Sequence, residues 1–282
     1  MNLHSPRCLE SITELKLLSS SKEFIISPQT SKPNITIVQD SLVGSYLMTK
    51  DNSPIPRDTF FDLIMRITVD NKFINLKKKL TTVKKIYKRY KKDYPIYCGK
   101  TLISLILPID FSHILENDGS DNEPYIKIKE GVMYEGILNK SGLNGRNSLI
   151  QILCKEYGND ICGEFIDNIQ FLANGWIEYH GFSIGLEDCM ITNPDSVLKI
   201  KTNIEKCYME AEAQERKTHN ELIKKVKVNA ALNRAKDIGM KIAKNSMKKD
   251  NNFLSTVRSG SKGDFFNIAQ LTGLLGQQNI SG

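Results

Sequence analysis

The chain has 282 residues, a length for one large domain or two modest ones, and its 40% hydrophobic and 25% charged content excludes wholesale disorder. Its 39 Lys and Arg outnumber its 32 Asp and Glu, and the net charge of +7 is a weak bias towards polyanionic partners such as nucleic acid or nucleotides. No apolar stretch reaches ~18 residues and Met1-Asn2-Leu3-His4 has no apolar h-region, which argues against a membrane span, a membrane partner and a signal peptide.

In chain order, Leu9, Ile12 and Leu15 share one face of a predicted helix near Leu9 to Leu18. Phe24-Ile25-Ile26 and Ile35 to Val38 read as short strands split by Pro28 and Pro33, and Asp58 as the cap of a helix carrying Phe60, Phe61, Ile64 and Ile67. From Lys72 to Lys92 the chain carries ten Lys or Arg residues and no acid, with Val83, Ile86, Tyr87 and Tyr90 at helical spacing. That stretch reads either as a solvated surface helix or as a phosphate-contacting patch with interleaved tyrosines. Gly99 to Leu107 is apolar and stops at Pro108, and Glu116 to Glu123 is a polar loop. Tyr125 to Ile128 and Val132 to Ile137 form a predicted β-hairpin around Glu130-Gly131. A helix from Asn147 to Tyr157 stops at Gly158, and Asp160 can cap the next, whose Phe165, Ile169, Leu172 and Trp176 form a core stripe before Gly181 ends it. Between about 195 and 249 there is no Pro and one Gly, Gly239. Ile204, Tyr208 and Ala211, then Leu232, Ala235 and Ile242, predict two long helices folded back at a polar break around Lys217 to Asn220.

The six cysteines, Cys8, Cys98, Cys154, Cys162, Cys189 and Cys207, include no CxxC pair, so they read as reduced, mostly packed thiols of an intracellular protein. The four histidines, His4, His113, His180 and His219, are not at metal-ligand spacing, and no metal site is predicted. Gly260 and Gly263 flank Lys262 before a helix whose Ile268, Leu271 and Leu275 share a face. Such a loop suits close approach of an anion to backbone and ammonium, and it equally suits an ordinary loop and helix start. It lacks the spacing of a Walker A loop.

Several blocks resemble the largest subunit of multisubunit DNA-directed RNA polymerases, of the eukaryotic RNA polymerase II-like or large-virus type. Met1-Asn2-Leu3-His4-Ser5-Pro6 resembles the stretch after the catalytic aspartate loop, with Arg7 where the family usually has Gln. Ser27-Pro28-Gln29-Thr30-Ser31-Lys32-Pro33 and Ile37-Val38-Gln39-Asp40-Ser41-Leu42-Val43-Gly44 resemble the next block, with Ser31 for the usual Asn. Gly136-Ile137-Leu138-Asn139-Lys140 is similar to a Gly-x-x-Asp-Lys turn, with Asn139 for Asp. Gly181-Phe182-Ser183-Ile184-Gly185-Leu186-Glu187-Asp188 resembles the end of the pore domain. Ser259-Gly260-Ser261-Lys262-Gly263, Asn267-Ile268-Ala269-Gln270 and Leu275-Gly276-Gln277-Gln278 resemble the end of the funnel domain.

The resemblance implies an α+β chain: a pore domain of helices and a small sheet over 1–194, then a mostly helical funnel domain with a long helical hairpin over 195–282. It implies a part in DNA-templated RNA synthesis, lining the pore and funnel by which nucleotides enter. Lys32, Lys140 and Lys262 would face that route, and Asn2 and His4 would lie near the active centre. Leu232, Asn233, Lys236, Gln270, Gln277 and Gln278 would lie by the funnel and bridge helix, where amatoxin-type toxins bind; Lys236 stands where the family often has Arg. The implied partners are the remaining largest-subunit segments, the second-largest subunit, DNA template, RNA and nucleoside triphosphates. The implied location is the nucleus, or a virion or cytoplasmic virus factory. Two-metal nucleotidyl transfer needs clustered aspartates to hold Mg²⁺. No Asp-Phe-Asp-Gly-Asp motif is present, and the family pattern places it immediately before Met1, so the Mg²⁺ ligands are expected outside this chain and the chain alone is expected to be inactive. The other reading is a non-catalytic basic nucleic-acid-binding protein or a decayed fragment.

Overall fold

A computed structural model of the chain describes residues 3–50, 52, 54–67, 76–117, 123–191, 193–248 and 250–274. It divides into two compact units, Met1–Gly181 and Phe182–Gly282. Helices and one small antiparallel sheet make an α+β fold, as the sequence predicts.

In the first unit the helices are α1 (Leu9–Leu17), α2 (Gln39–Lys50), α3 (Arg57–Met65), α4 (Leu76–Arg89), α5 (Gly99–Ile106), α6 (Lys140–Asn144) and α7 (Leu149–His180). Strands β1 (His113–Glu116), β2 (Tyr125–Lys129) and β3 (Val132–Glu135) lie between α5 and α6. The predicted stripe Phe165, Ile169, Leu172 and Trp176 is buried on α7, which is broken at Gly158 (φ 85°) and capped by Gly181 (φ 75°), both as predicted. Helix α2 packs along α7, and every residue from Ser41 to Thr49 is buried. A Cβ on Gly44 would lie 2.6 Å from the Ala173 carbonyl oxygen, so this contact requires glycine.

The hairpin turn is the predicted Glu130-Gly131, both at positive φ (50° and 70°), and β1 adds a third strand in the order β1-β2-β3. Helix α4 buries Val83, Ile86 and Tyr87 against Cys98, Val132 and Tyr134, and Tyr90 stacks on Tyr134 with ring centroids 4.1 Å apart. Lys79 turns inward: its ammonium donates to the carbonyls of Leu105 and, at 3.0 Å, Leu107, at the negative end of α5.

Three local expectations are corrected. Residues 24–26 and 35–38 are not strands: Ser21–Phe24 is a 3-10 turn, Ile26 makes a single bridge to Pro33, and Ile37 bonds to a side chain instead of a neighbouring strand. Asp58 does not cap α3, which starts behind Pro56; it sits in the first turn, where its charge suits the positive helix end. Asp160 pairs with Lys22 at 2.8 Å.

In the second unit, α8 (Pro194–Lys217) and α9 (Glu221–Ser246) form the predicted hairpin, turning at 218–220, with Asn220 capping Leu222 and Ile223. Its buried residues are small, Cys207 and Ala211 on α8 and Ala231, Ala235, Gly239 and Ala243 at intervals of four on α9, where a Cβ on Gly239 would lie 2.8 Å from Leu274 Cβ. Tyr208, expected in the stripe, is 59% exposed. Helices α10 (Asn252–Ser259) and α11 (Phe265–Thr272) close over Ala243 with Leu254, Ile268 and Ala269. Leu271 is exposed, so it does not share the buried face with Ile268, and Leu275 lies outside the described residues.

Burial lowers the Lys79 ammonium from its ordinary 10.5 to about 8. Between those values the unfolded chain holds the proton and the folded chain has released it, so this lysine makes stability rise with pH through that window. The difference in unfolding free energy between wild type and Lys79→Met should therefore grow in favour of wild type from pH 8 to 10.5. Its upper bound is about 3 kcal/mol at roughly 1.36 kcal/mol per pH unit. Urea titrations at pH 8, 9 and 10 measure it, and a difference independent of pH contradicts the assignment.

Candidate functional site

In the first unit, the turn from Gly136 to Lys140 leaves the sheet and enters α6 with every step held by a side chain. The Gly136 amide donates to Glu123 Oε2 at 2.8 Å, Asn117 Nδ2 donates to the Ile137 carbonyl at 2.8 Å, and the Leu138 amide donates to Thr49 Oγ1 at 2.9 Å. Asn139 Oδ1 accepts from the Gly142 amide at 3.0 Å and is the N-cap of α6. Gly136 has φ 106°, and a Cβ there would lie 2.6 Å from Ile126 Cα. Ile137, Leu138 and Asn139 are buried, and Lys140 is the exposed residue that follows.

A second lysine is presented beside the same corner. The loop from Ser27 to Lys32 closes on itself, the Ser27 amide donating to the Lys32 carbonyl at 2.8 Å with Ser31 at φ 54°. Gln151 Nε2 donates to the Ser31 carbonyl at 2.6 Å, and Asn144 both accepts from the Ile37 amide and donates to its carbonyl. The junction of α6 and α7 thus anchors the loop of Lys32 and the segment at Ile37, and Lys32 and Lys140 are both exposed.

Beneath the Gly136 turn lies a buried ammonium. Lys100 is 1% exposed, its Nζ 3.7 Å from Glu123 Oε2 and 5.0 Å from the centre of the Tyr94 ring, with no hydrogen-bond acceptor. Burial lowers its pKa, and the Glu123 charge opposes the shift. Nearby, burial raises Glu135, but hydrogen bonds from Lys127 and Lys92, each at 3.1 Å, outweigh it and leave the carboxyl below its usual range. Neither Glu123 nor Lys100 is marked by sequence periodicity. A lone lysine inside the apolar run Gly99 to Leu107 is the one signal that could have found this pair.

In the second unit, Asp188 fastens the Gly181 to Asp188 block to the start of α10. Its carboxylate accepts from the amides of Gly185 (2.9 Å) and Asn252 (3.1 Å), and its carbonyl accepts from Asn251 Nδ2 (2.9 Å). Asn252 Nδ2 donates to the Ser183 carbonyl at 2.7 Å, and Lys248 pairs with Glu187. A cleft of about 450 Å³ lies here, lined among others by Ser183, Glu187, Asp188 and Lys248. Lys262 is exposed between Gly260 (φ 78°), which caps α10, and Gly263 (φ 69°). Asp264 and Asn267 form a reciprocal capping box at the start of α11, with bonds of 2.8 and 3.0 Å. The carboxylate of Asp264 already supplies the negative group that this helix end attracts, so an incoming anion would meet Lys262 and not the helix end.

Of the other predicted residues, Leu232 is half-buried, Asn233 and Gln270 are exposed, and Lys236 Nζ lies 4.1 Å from the centre of the Phe266 ring. His4 is exposed; Asn2, Gln277 and Gln278 lie outside the described residues. Of the remaining histidines, His113 bonds to Glu156 at 2.9 Å and His180 stacks on Trp176. Among the described residues no group of three or more His, Cys, Asp or Glu could hold a metal ion. No helix among them is long and apolar enough to cross a membrane.

Two family descriptions match the chain in order: RNA polymerase Rpb1, domain 3, over residues 24–189, and RNA polymerase Rpb1, domain 4, over residues 203–282. Together they define a segment of the largest subunit of a DNA-directed RNA polymerase, of viral or eukaryotic type. The chain belongs to the Rpb1 family. It is 42% identical over 299 aligned positions to a probable DNA-directed RNA polymerase II subunit RPB1 homolog of Invertebrate iridescent virus 6, a match that covers 100% of this chain and 28% of that relative's length.

The Lys100–Glu123 pair yields an asymmetric prediction. Glu123→Ala leaves a buried ammonium and the Gly136 amide without a partner, and should cost about 3–5 kcal/mol. Lys100→Met removes a desolvated charge that has no hydrogen-bond acceptor, while Glu123 keeps the Gly136 amide, so its melting temperature should be unchanged or higher. Thermal and urea unfolding of both variants measure this, and equal losses would contradict it.

Proposed function

We propose that this chain lines the pore and funnel of a complete polymerase, with 1–194 as the pore portion and 195–282 as the funnel portion. Nucleoside triphosphates would reach the active centre along it, and the RNA 3′ end would back out. Lys32, Lys140 and Lys262 supply positive charge to that route, which raises the local concentration of triphosphate. Asn2 and His4 belong near the active centre, and Leu232, Asn233, Lys236, Gln270, Gln277 and Gln278 by the funnel and bridge helix. The observation that carries the reading is the support beneath Lys140: an exposed ammonium follows a turn whose peptide groups are bonded by Glu123, Asn117 and Thr49. A cation on such a support needs little rearrangement to meet an anion. DNA, RNA, the second-largest subunit and the rest of the largest subunit complete the machine, in the nucleus or in a virion or virus factory. Mg²⁺ chemistry belongs to aspartates outside the residues present here, so the chain alone does not polymerise RNA.

The test is steady-state elongation by reassembled polymerase across nucleotide concentrations. Removing one charge-assisted hydrogen bond costs about 1.5–3 kcal/mol, roughly ten- to a hundredfold in binding. Lys140→Ala and Lys262→Ala should each raise KM by about that range, and kcat should change less than kcat/KM. The arginine variants should restore only part, because a flat fork replaces a point charge. The chain alone in the same assay should give no template-directed extension. An unchanged KM with the complex intact contradicts the reading.

A further inference from the structure

Helix α4 packs its apolar residues inward and uses its inner cations structurally: Lys79 on the end of α5, Arg89 on Glu130 at 3.1 Å. Just beyond the helix, Lys92 pairs with Glu135 at 3.1 Å. The outward face is different. Lys77, Lys84, Lys85, Lys88 and Lys91 are exposed, and none forms an ion pair with a described residue. Lys84 and Lys85 lie four and three residues before Lys88 on the helix, so the face sets like charges side by side, which destabilises a helix.

A second observation sharpens the contrast. Lys91 ends the helix in the left-handed region, φ 52°, where the Lys92 amide returns to the Tyr87 carbonyl at 2.9 Å. Glycine is the residue that such a helix end prefers. A lysine there, like the crowding around Lys88, works against folding and adds positive charge to one surface. A merely solvated face needs neither. The aromatic residue on this side, Tyr90, already stacks on Tyr134, so the face offers charge and not a platform for bases.

We propose that the outer face of α4 is a docking surface for the phosphodiester backbone of nucleic acid, contacted without regard to sequence. Lys84, Lys85, Lys88 and Lys91 form its centre and Lys77 extends it two turns along the helix. The proposal is independent of the pore and funnel reading, which uses other lysines.

The test is fluorescence anisotropy with the full 282-residue chain against labelled single-stranded RNA and duplex DNA of mixed sequence, over a salt series. Removing one lysine–phosphate pair should flatten the slope of log K against log salt by about 0.7 for a single strand or about 0.9 for a duplex. The triple variant Lys84→Gln, Lys85→Gln, Lys88→Gln should therefore lower the slope by roughly 2 units on a single strand or roughly 3 on a duplex, and the arm with that decrease identifies the ligand. Lys91→Gly should bind more weakly yet melt at a higher temperature, a combination that misfolding cannot produce. Poly-glutamate serves as a third arm. The proposal is overturned if the wild type binds neither nucleic acid, if the triple variant keeps the wild-type slope, or if poly-glutamate binds as tightly as nucleic acid.

Discussion

A peptide group removed from water must find a partner, and in this protein the decisive peptide groups lie outside regular structure. Between β3 and α6 the backbone is buried, so no water can serve Gly136, Ile137 or Leu138. Side chains from a loop, from the segment after β1 and from the end of α2 do so instead. An amide left without its acceptor here would cost about 1–3 kcal/mol. The path of this turn, and with it the place of Lys140, is set by that requirement.

The same device recurs in other polymerase-like sequence blocks where the backbone departs from helix or strand. Gln151 holds the loop of Lys32, Asn144 holds Ile37, and Asp188 and Asn252 hold the block from Gly181 to Asp188. Asp264 and Asn267 hold the approach to α11. Much of what makes these blocks recognisable is therefore anchoring, and the lysines are the exposed residues that the anchors leave to interact with something else. This accounts for one departure from the family pattern. Asn139 stands where the family has Asp, and asparagine and aspartate cap a helix about equally well.

The sequence made visible what local rules govern: the Glu130-Gly131 turn, the break at Gly158, the end at Gly181, the stripe from Phe165 to Trp176 and the fold-back before Glu221. Helix α2 was not legible, because it is buried on all sides and so has no polar face to create a period. Its Ser45 and Thr49 satisfy their hydroxyls on carbonyls four residues back, at 2.7 Å each, which lets polar residues pass through the core. Of the buried face of α9 only Ala235 was legible, because alanine and glycine at every fourth position carry little hydrophobic signal. The anchors of the Lys140 turn were invisible for another reason. Thr49 and Leu138 are 89 positions apart, and no spacing rule reaches that far.

The central claim is that side-chain acceptors hold the buried turn before Lys140, and amide hydrogen exchange at Leu138 tests it most directly. Thr49→Val keeps the shape of the side chain and removes the acceptor, while Thr49→Ser keeps it. In the valine variant, Leu138 should exchange at least about tenfold faster, the equivalent of roughly 1.4 kcal/mol or more. Core amides of α7 should keep their protection, and the serine variant should stay close to wild type at Leu138. Wild-type protection of Leu138 in Thr49→Val would contradict the account.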